Sequence, residues 1–146
     1  VEVNVTERTP FYDLLRIPFT APLPEGSQTA TVVSYDLNEM LGTKMRALLQ
    51  REQGRDLFDL AHACAHAAPF ASGHALSGPK VAAAFAKYMA DEGTTVSRQQ
   101  FTARLDNKLG LARFRADIHD VLAPGTLHDV DEAAATVRSA LLAHLP

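Results

Sequence analysis

The stretch Leu37-Asn38-Glu39-Met40-Leu41-Gly42-Thr43-Lys44-Met45-Arg46-Ala47-Leu48-Leu49-Gln50-Arg51, continued by Glu52-Gln53-Gly54-Arg55-Asp56-Leu57-Phe58-Asp59-Leu60, decides the fold. At 3.6 residues per turn, Leu37, Met40, Leu41, Met45, Leu48 and Leu49 fall on one stripe, which predicts an amphipathic helix over residues 37–51. Ser34, Asp36 or Asn38 is placed to cap it, and Glu39 suits its first turn. Gly54 is expected to stop it, and Arg55 and Asp56 to start a second helix reaching about Ala67, before Pro69 and a Ser72-Gly73 turn. So short a link makes the pair a hairpin or corner.

Lys44 stands in the middle of the apolar stripe, three residues after Leu41 and four before Leu48. An ammonium buried without a partner is costly, so this side chain either snorkels to water or faces an anion in a cleft. The second helix offers anions: Asp56 and Asp59 share a face, three residues apart, and Arg55 can reach Asp59 at i+4. Two readings follow from the pattern. One is a self-satisfied ion-pair cluster at a helix start favoured by the macrodipole. The other is a polar cleft in which two carboxylates face one lysine and a triphosphate is neutralised.

Upstream, Val1-Glu2-Val3-Asn4-Val5 alternates as a strand does, and residues 29–35 form the other good strand candidate. Between them lies a segment with Pro10, Pro18, Pro22 and Pro24 that ends in Glu25-Gly26-Ser27, and it reads as a loop or hairpin excursion with a turn at its tip. Two strands are at most a sheet remnant, so the chain is expected to be a fragment whose remaining sheet precedes Val1. Downstream, helices are predicted over about 79–90, 98–105 (capped by Ser97), 111–122 and 129–144. The fold class is therefore α+β, mainly α, with residues 1–36 as sheet and loop remnant and 37–146 as a helical domain.

Composition agrees with a packed domain of Ala- and Leu-rich helices. Of 146 residues, 47% are hydrophobic and 21% charged, and there is no Trp. A net charge of −3 supplies no global field for a polyanion. Cys64 has no cysteine to pair with and is expected to be buried and inert, which fits a reducing cytoplasm. No apolar run approaches the ~20 residues needed to cross a bilayer, so no membrane association is expected.

The pattern Glu39-x4-Lys44-x2-Ala47-Leu48-x2-Arg51-x3-Arg55-Asp56-x-Phe58-Asp59-Leu60, preceded by the Val1-Glu2-Val3-Asn4 strand, resembles the AbiEii-type nucleotidyltransferases, the toxin halves of abortive-infection toxin-antitoxin pairs. The resemblance is strongest over residues 1–4 and 37–60. It implies a polymerase-β-like nucleotidyltransferase whose Gly-Ser motif and acidic pair would lie before Val1, so that this chain alone is not expected to complete the chemistry. It further implies Glu2 as an additional acidic ligand for Mg²⁺, Lys44 as the lysine that meets the nucleotide phosphates, and Arg55, Asp56 and Asp59 as the Arg-Asp-x-x-Asp element. The implied reaction is attack of an acceptor hydroxyl on the α-phosphorus of an NTP. GTP as donor, tRNA or another RNA or a protein as acceptor, and a cognate antitoxin as partner are the expectations the family carries.

His62 and His66, four apart and a turn beyond Asp59, have a spacing that metal ligands use, but they are read as helix surface before a metal site. Arg98, Arg104, Lys108, Arg113 and Arg115, interleaved with Phe101 and Phe114, are read as helix-face solvation before an RNA-contacting face. The competing functional reading is a non-catalytic helical interaction module. An unpaired edge at residues 1–5 would also permit a dimer.

Overall fold

The computed structural model describes residues 9–66, 75–119, 121–123 and 125–146. The strand expected at residues 1–5, the dimer through it, Glu2 and the turn expected at Ser72-Gly73 lie outside the described residues. Within them the chain is α+β, mainly α: a two-stranded antiparallel hairpin, then six helices and a final 3-10 turn.

The Pro-rich segment, read as a loop or a hairpin excursion with a turn at its tip, is one arm of a hairpin. β1 (Leu15–Leu23) pairs with β2 (Gly26–Ser34) from Leu15↔Ser34 to Leu23↔Gly26. The alternation that drives it is Leu15, Ile17, Phe19, Ala21 and Leu23 on one face, with Ala30 and Val32 opposite on that same face. Pro18 and Pro22 share one parity, so both nitrogens point to the same edge, which a ladder tolerates where that edge is open. Thr20 and Thr29 meet hydroxyl to hydroxyl at 2.9 Å on the other face. Pro24 and Glu25 make the turn, and Gly26 takes φ 121°, a conformation that an L side chain rarely adopts. β2 thus starts earlier than the Thr29 expected and ends at Ser34.

The helices are α1 (Leu37–Gln50), α2 (Gly54–His66), α3 (Gly78–Asp91), α4 (Arg98–Leu109), α5 (Ala112–Ala116) and α6 (Val130–Ala140), with the 3-10 turn at Leu142–His144. Asp36 caps α1 by accepting from Asn38 N at 2.7 Å. Ser97 and Gln100 form a capping box on α4. Asp129 caps α6 by accepting from Asp131 N and Glu132 N. The helix expected over 111–122 is only the five residues of α5, followed by a turn, and α4 runs one turn longer than expected.

α1 packs chiefly on α3 and α2 on α6, around Met45, Leu48, Leu57, Leu60, Val81, Phe85, Phe101, Leu105, Phe114 and Val137. Phe85 and Phe101 meet edge to face with centroids 5.6 Å apart. The inward stripe of α1 departs from expectation at two places: Met40 is 45% exposed, and Glu39 is buried in its stead. The Glu39 carboxylate accepts from Phe11 N at 2.8 Å, Tyr12 N at 2.9 Å and the Tyr88 hydroxyl, so it clips the stem of the hairpin onto α1 and α3. Tyr12 closes the clip by donating its hydroxyl to Lys80 O at 2.9 Å. No helix of the described residues is long and apolar enough to cross a membrane.

Candidate functional site

The corner between α1 and α2 brings three of the expected residues together. Lys44 Nζ, from the middle of α1, lies 2.9 Å from Asp59 Oδ2 and 3.4 Å from Asp56 Oδ1. Its side chain is 33% exposed, so its stem packs among apolar neighbours while the ammonium reaches the rim. It is thus partly solvated and also paired.

The two carboxylates are not equivalent. Asp56 is 1% exposed and Asp59 47%. Asp56 Oδ1 also accepts from Arg51 Nη2 at 3.0 Å, so two cations converge on one oxygen. A charge this deeply placed persists only if paired, and Lys44 and Arg51 supply the pairing. Asp56 Oδ2 and Gln53 Oε1 are buried and meet no hydrogen-bond donor among the described residues. Two cations and two carboxylates leave the corner locally neutral, with the buried half fixed and the exposed half exchangeable.

Arg55 is not part of this cluster. Its backbone N–H donates to Asp117 Oδ2 at 3.1 Å, which satisfies an open donor at the start of α2. Its side chain is exposed and forms no ion pair among the described residues. The i+4 pair expected between Arg55 and Asp59 does not form, because Asp59 turns instead toward Lys44 on the neighbouring helix. Gly54, expected to end α1, is the first residue of α2. A Cβ there would sit 2.1 Å from Phe114 O, so the corner packs directly on the backbone of α5.

His62 and His66 lie on the exposed side of α2 as a stack with Phe58: centroids are 5.5 Å apart for Phe58 and His62, and 4.2 Å for His62 and His66. His66 Nδ1 donates to His62 O at 3.0 Å. Asp59 is occupied by Lys44, and no group of three or more His, Cys, Asp or Glu among the described residues is arranged to hold a metal ion. With an ammonium already between them, Asp56 and Asp59 do not fit a divalent cation either. The expected ligand, Glu2, is outside the described residues. Cys64 is a half-buried free thiol, its pKa pushed up by burial.

Two of the basic residues of α4 and α5 are paired with carboxylates and a third is buried. Arg113 pairs with Glu52 and Arg115 with Asp131. Lys108 is not on the surface at all: it is buried and donates to Leu49 O at 2.9 Å, Arg51 O at 2.6 Å and Leu48 O. Sequence reasoning missed it, although a signal was present. Phe101, Leu105 and Lys108 recur at i, i+4 and i+7, so Lys108 interrupts the apolar stripe of α4 much as Lys44 interrupts that of α1. Arg51 stood in the quoted pattern without a role, and Asp117 gave no sign of capping a helix so far upstream.

A family model described as nucleotidyl transferase AbiEii toxin, type IV toxin-antitoxin system, matches residues 1–136. No curated protein and no solved structure matches the chain.

Proposed function

Because this chain belongs to the AbiEii family of nucleotidyltransferase toxins, we propose that it carries the phosphate-binding corner of an enzyme that transfers a nucleotide from an NTP to an acceptor hydroxyl. The observation that supports this most is the asymmetric grip on Lys44, one carboxylate buried and one exposed. Buried Asp56 keeps the ammonium in place. Exposed Asp59 gives up its hold when a triphosphate arrives, because a solvated ion pair contributes little and a polyphosphate offers several oxygens.

In the transfer step the acceptor oxygen bonds to the α-phosphorus and releases its proton to solvent, while the bond from that phosphorus to pyrophosphate breaks and the leaving group takes the electron pair. Lys44 neutralises the charge that grows on the departing pyrophosphate. Asp56 positions Lys44, and Asp59, once released, is the exposed carboxylate nearest the reacting groups. Arg55, exposed on the same helix and without an ion pair among the described residues, meets the nucleotide phosphates from outside the corner. Nucleotidyltransferases of this kind use a divalent metal, here Mg²⁺, to neutralise the triphosphate, and Glu2 is its proposed ligand.

The proposed donor is an NTP such as GTP, the acceptor a tRNA or another RNA, and the setting a cytoplasmic toxin held in check by its antitoxin. The second reading, a protein-interaction module, draws on one observation: the apolar face of the hairpin, with Phe19, Leu23 and Val32, is open.

The test is transfer of label from α-³²P NTPs to total RNA or protein with Mg²⁺, by the full-length protein and by its Lys44→Ala variant. We expect label in the acceptor with the native residue and a loss of at least about 100-fold in the variant, the scale for removing one charge-stabilising group. Undiminished transfer by a folded Lys44→Ala protein would remove Lys44 from the mechanism.

A further inference from the structure

The last carbonyls of a helix have no partner within it, and the C-terminal end of its dipole attracts a cation. At the end of α1 these carbonyls are met by a single side chain from a distant helix. Lys108, on α4, gives its three ammonium hydrogens to Leu48 O, Leu49 O and Arg51 O, so donors and acceptors match three to three. One of the three acceptors belongs to Arg51, whose guanidinium holds the same Asp56 oxygen that holds Lys44.

We infer that Lys108 is a positioning residue for the Lys44–Asp56 pair, fixing through Arg51 and the 51–54 corner where the exposed ammonium is presented. The chain of contacts is short: Lys108 to the Arg51 carbonyl, Arg51 to Asp56 Oδ1, and Asp56 Oδ1 to Lys44. The other side of the corner is fixed by backbone packing of Gly54 on Phe114 and by the Asp117 cap on Arg55 N. Without Lys108, three carbonyls lose their common donor and Arg51 is free to turn outward. Burial pushes the Lys108 pKa down, Glu52 pulls it up, Arg104 pushes it down and Asp56 pulls it up, so the ammonium is itself sensitive to the charges of the corner it holds.

The inference rests on the transferase reading only for its effect on turnover, and the test separates the two. The chain has four lysines, Lys44, Lys80, Lys87 and Lys108, so side-chain NMR of ¹³C-lysine protein resolves Lys44 directly. Asp56→Asn calibrates the shift of the Lys44 Cε resonance when its buried partner loses charge. Lys108→Met, which keeps most of the apolar stem, is expected to move the Lys44 resonance in the same direction and to raise KM for labelled NTP about tenfold, while the Lys80 and Lys87 resonances stay put. If Lys108→Met lacks a cooperative unfolding transition, Lys108→Gln, which retains two of the three N–H donors on a shorter arm, serves in its place with the same expectation. A Lys44 resonance unchanged in a folded Lys108 variant would overturn the inference. A shifted resonance in a protein that transfers no nucleotide would uphold it while removing the transferase reading.

Discussion

Phe19 and Phe85 are the same residue in opposite situations. Phe19 sits on the hairpin, 57% exposed, and Phe85 sits on α3, sealed between α1 and α4. Among the described residues the hairpin is held by its own cross-strand pairs and the clip at Glu39, whereas the helices hold one another through a common core. An apolar residue contributes to stability through the surface it removes from water, so the two regions respond to the same substitution on different scales.

Phe85→Ala is the strongest way to sharpen that contrast. It should lower unfolding stability by about 3–5 kcal/mol, read as a shifted denaturant midpoint, and a loss under about 1 kcal/mol would mean that the helical core is loosely packed. Glu39→Ala attacks the join between the regions. It leaves two backbone donors without their acceptor and removes the contact of Glu39 with the Tyr88 hydroxyl, and about 2–3 kcal/mol is expected. Amides of residues 11–12 should then exchange hydrogen far faster while those of α3 remain protected; unchanged exchange at Tyr12 would show that the hairpin is anchored elsewhere. The smallest effect is expected from Phe19→Ala, within about 0.5 kcal/mol. A large loss there would mean that the apolar face of the hairpin is covered in solution.

The sequence made the helices legible because most carry a stripe and a punctuating residue: Asp36 and Ser97 do cap, and the starts of α1 and α4 fall where expected. β1 was obscured by Pro18 and Pro22, which argue against a strand until its open edge is known. Lys44, Asp56 and Asp59 could be nominated because they are close in sequence and break an apolar pattern. Glu39 was read as a first-turn acid because nothing local reveals that Phe11, Tyr12 and Tyr88 converge on it. Arg51, Asp117 and Lys108 escaped for a related reason: their partners belong to other elements, in part some 60 residues away, and no local period encodes which helix end a lysine will meet.

The two ties on Lys44 also differ in how they feel dissolved ions. The Debye length shrinks from about 10 Å at 0.1 M salt to about 3 Å at 1 M, and screening acts on solvated charges well before buried ones. Rising ionic strength therefore loosens the hold of Asp59 while that of Asp56 persists, and Lys44 becomes a lever with one fixed pin and one that salt withdraws.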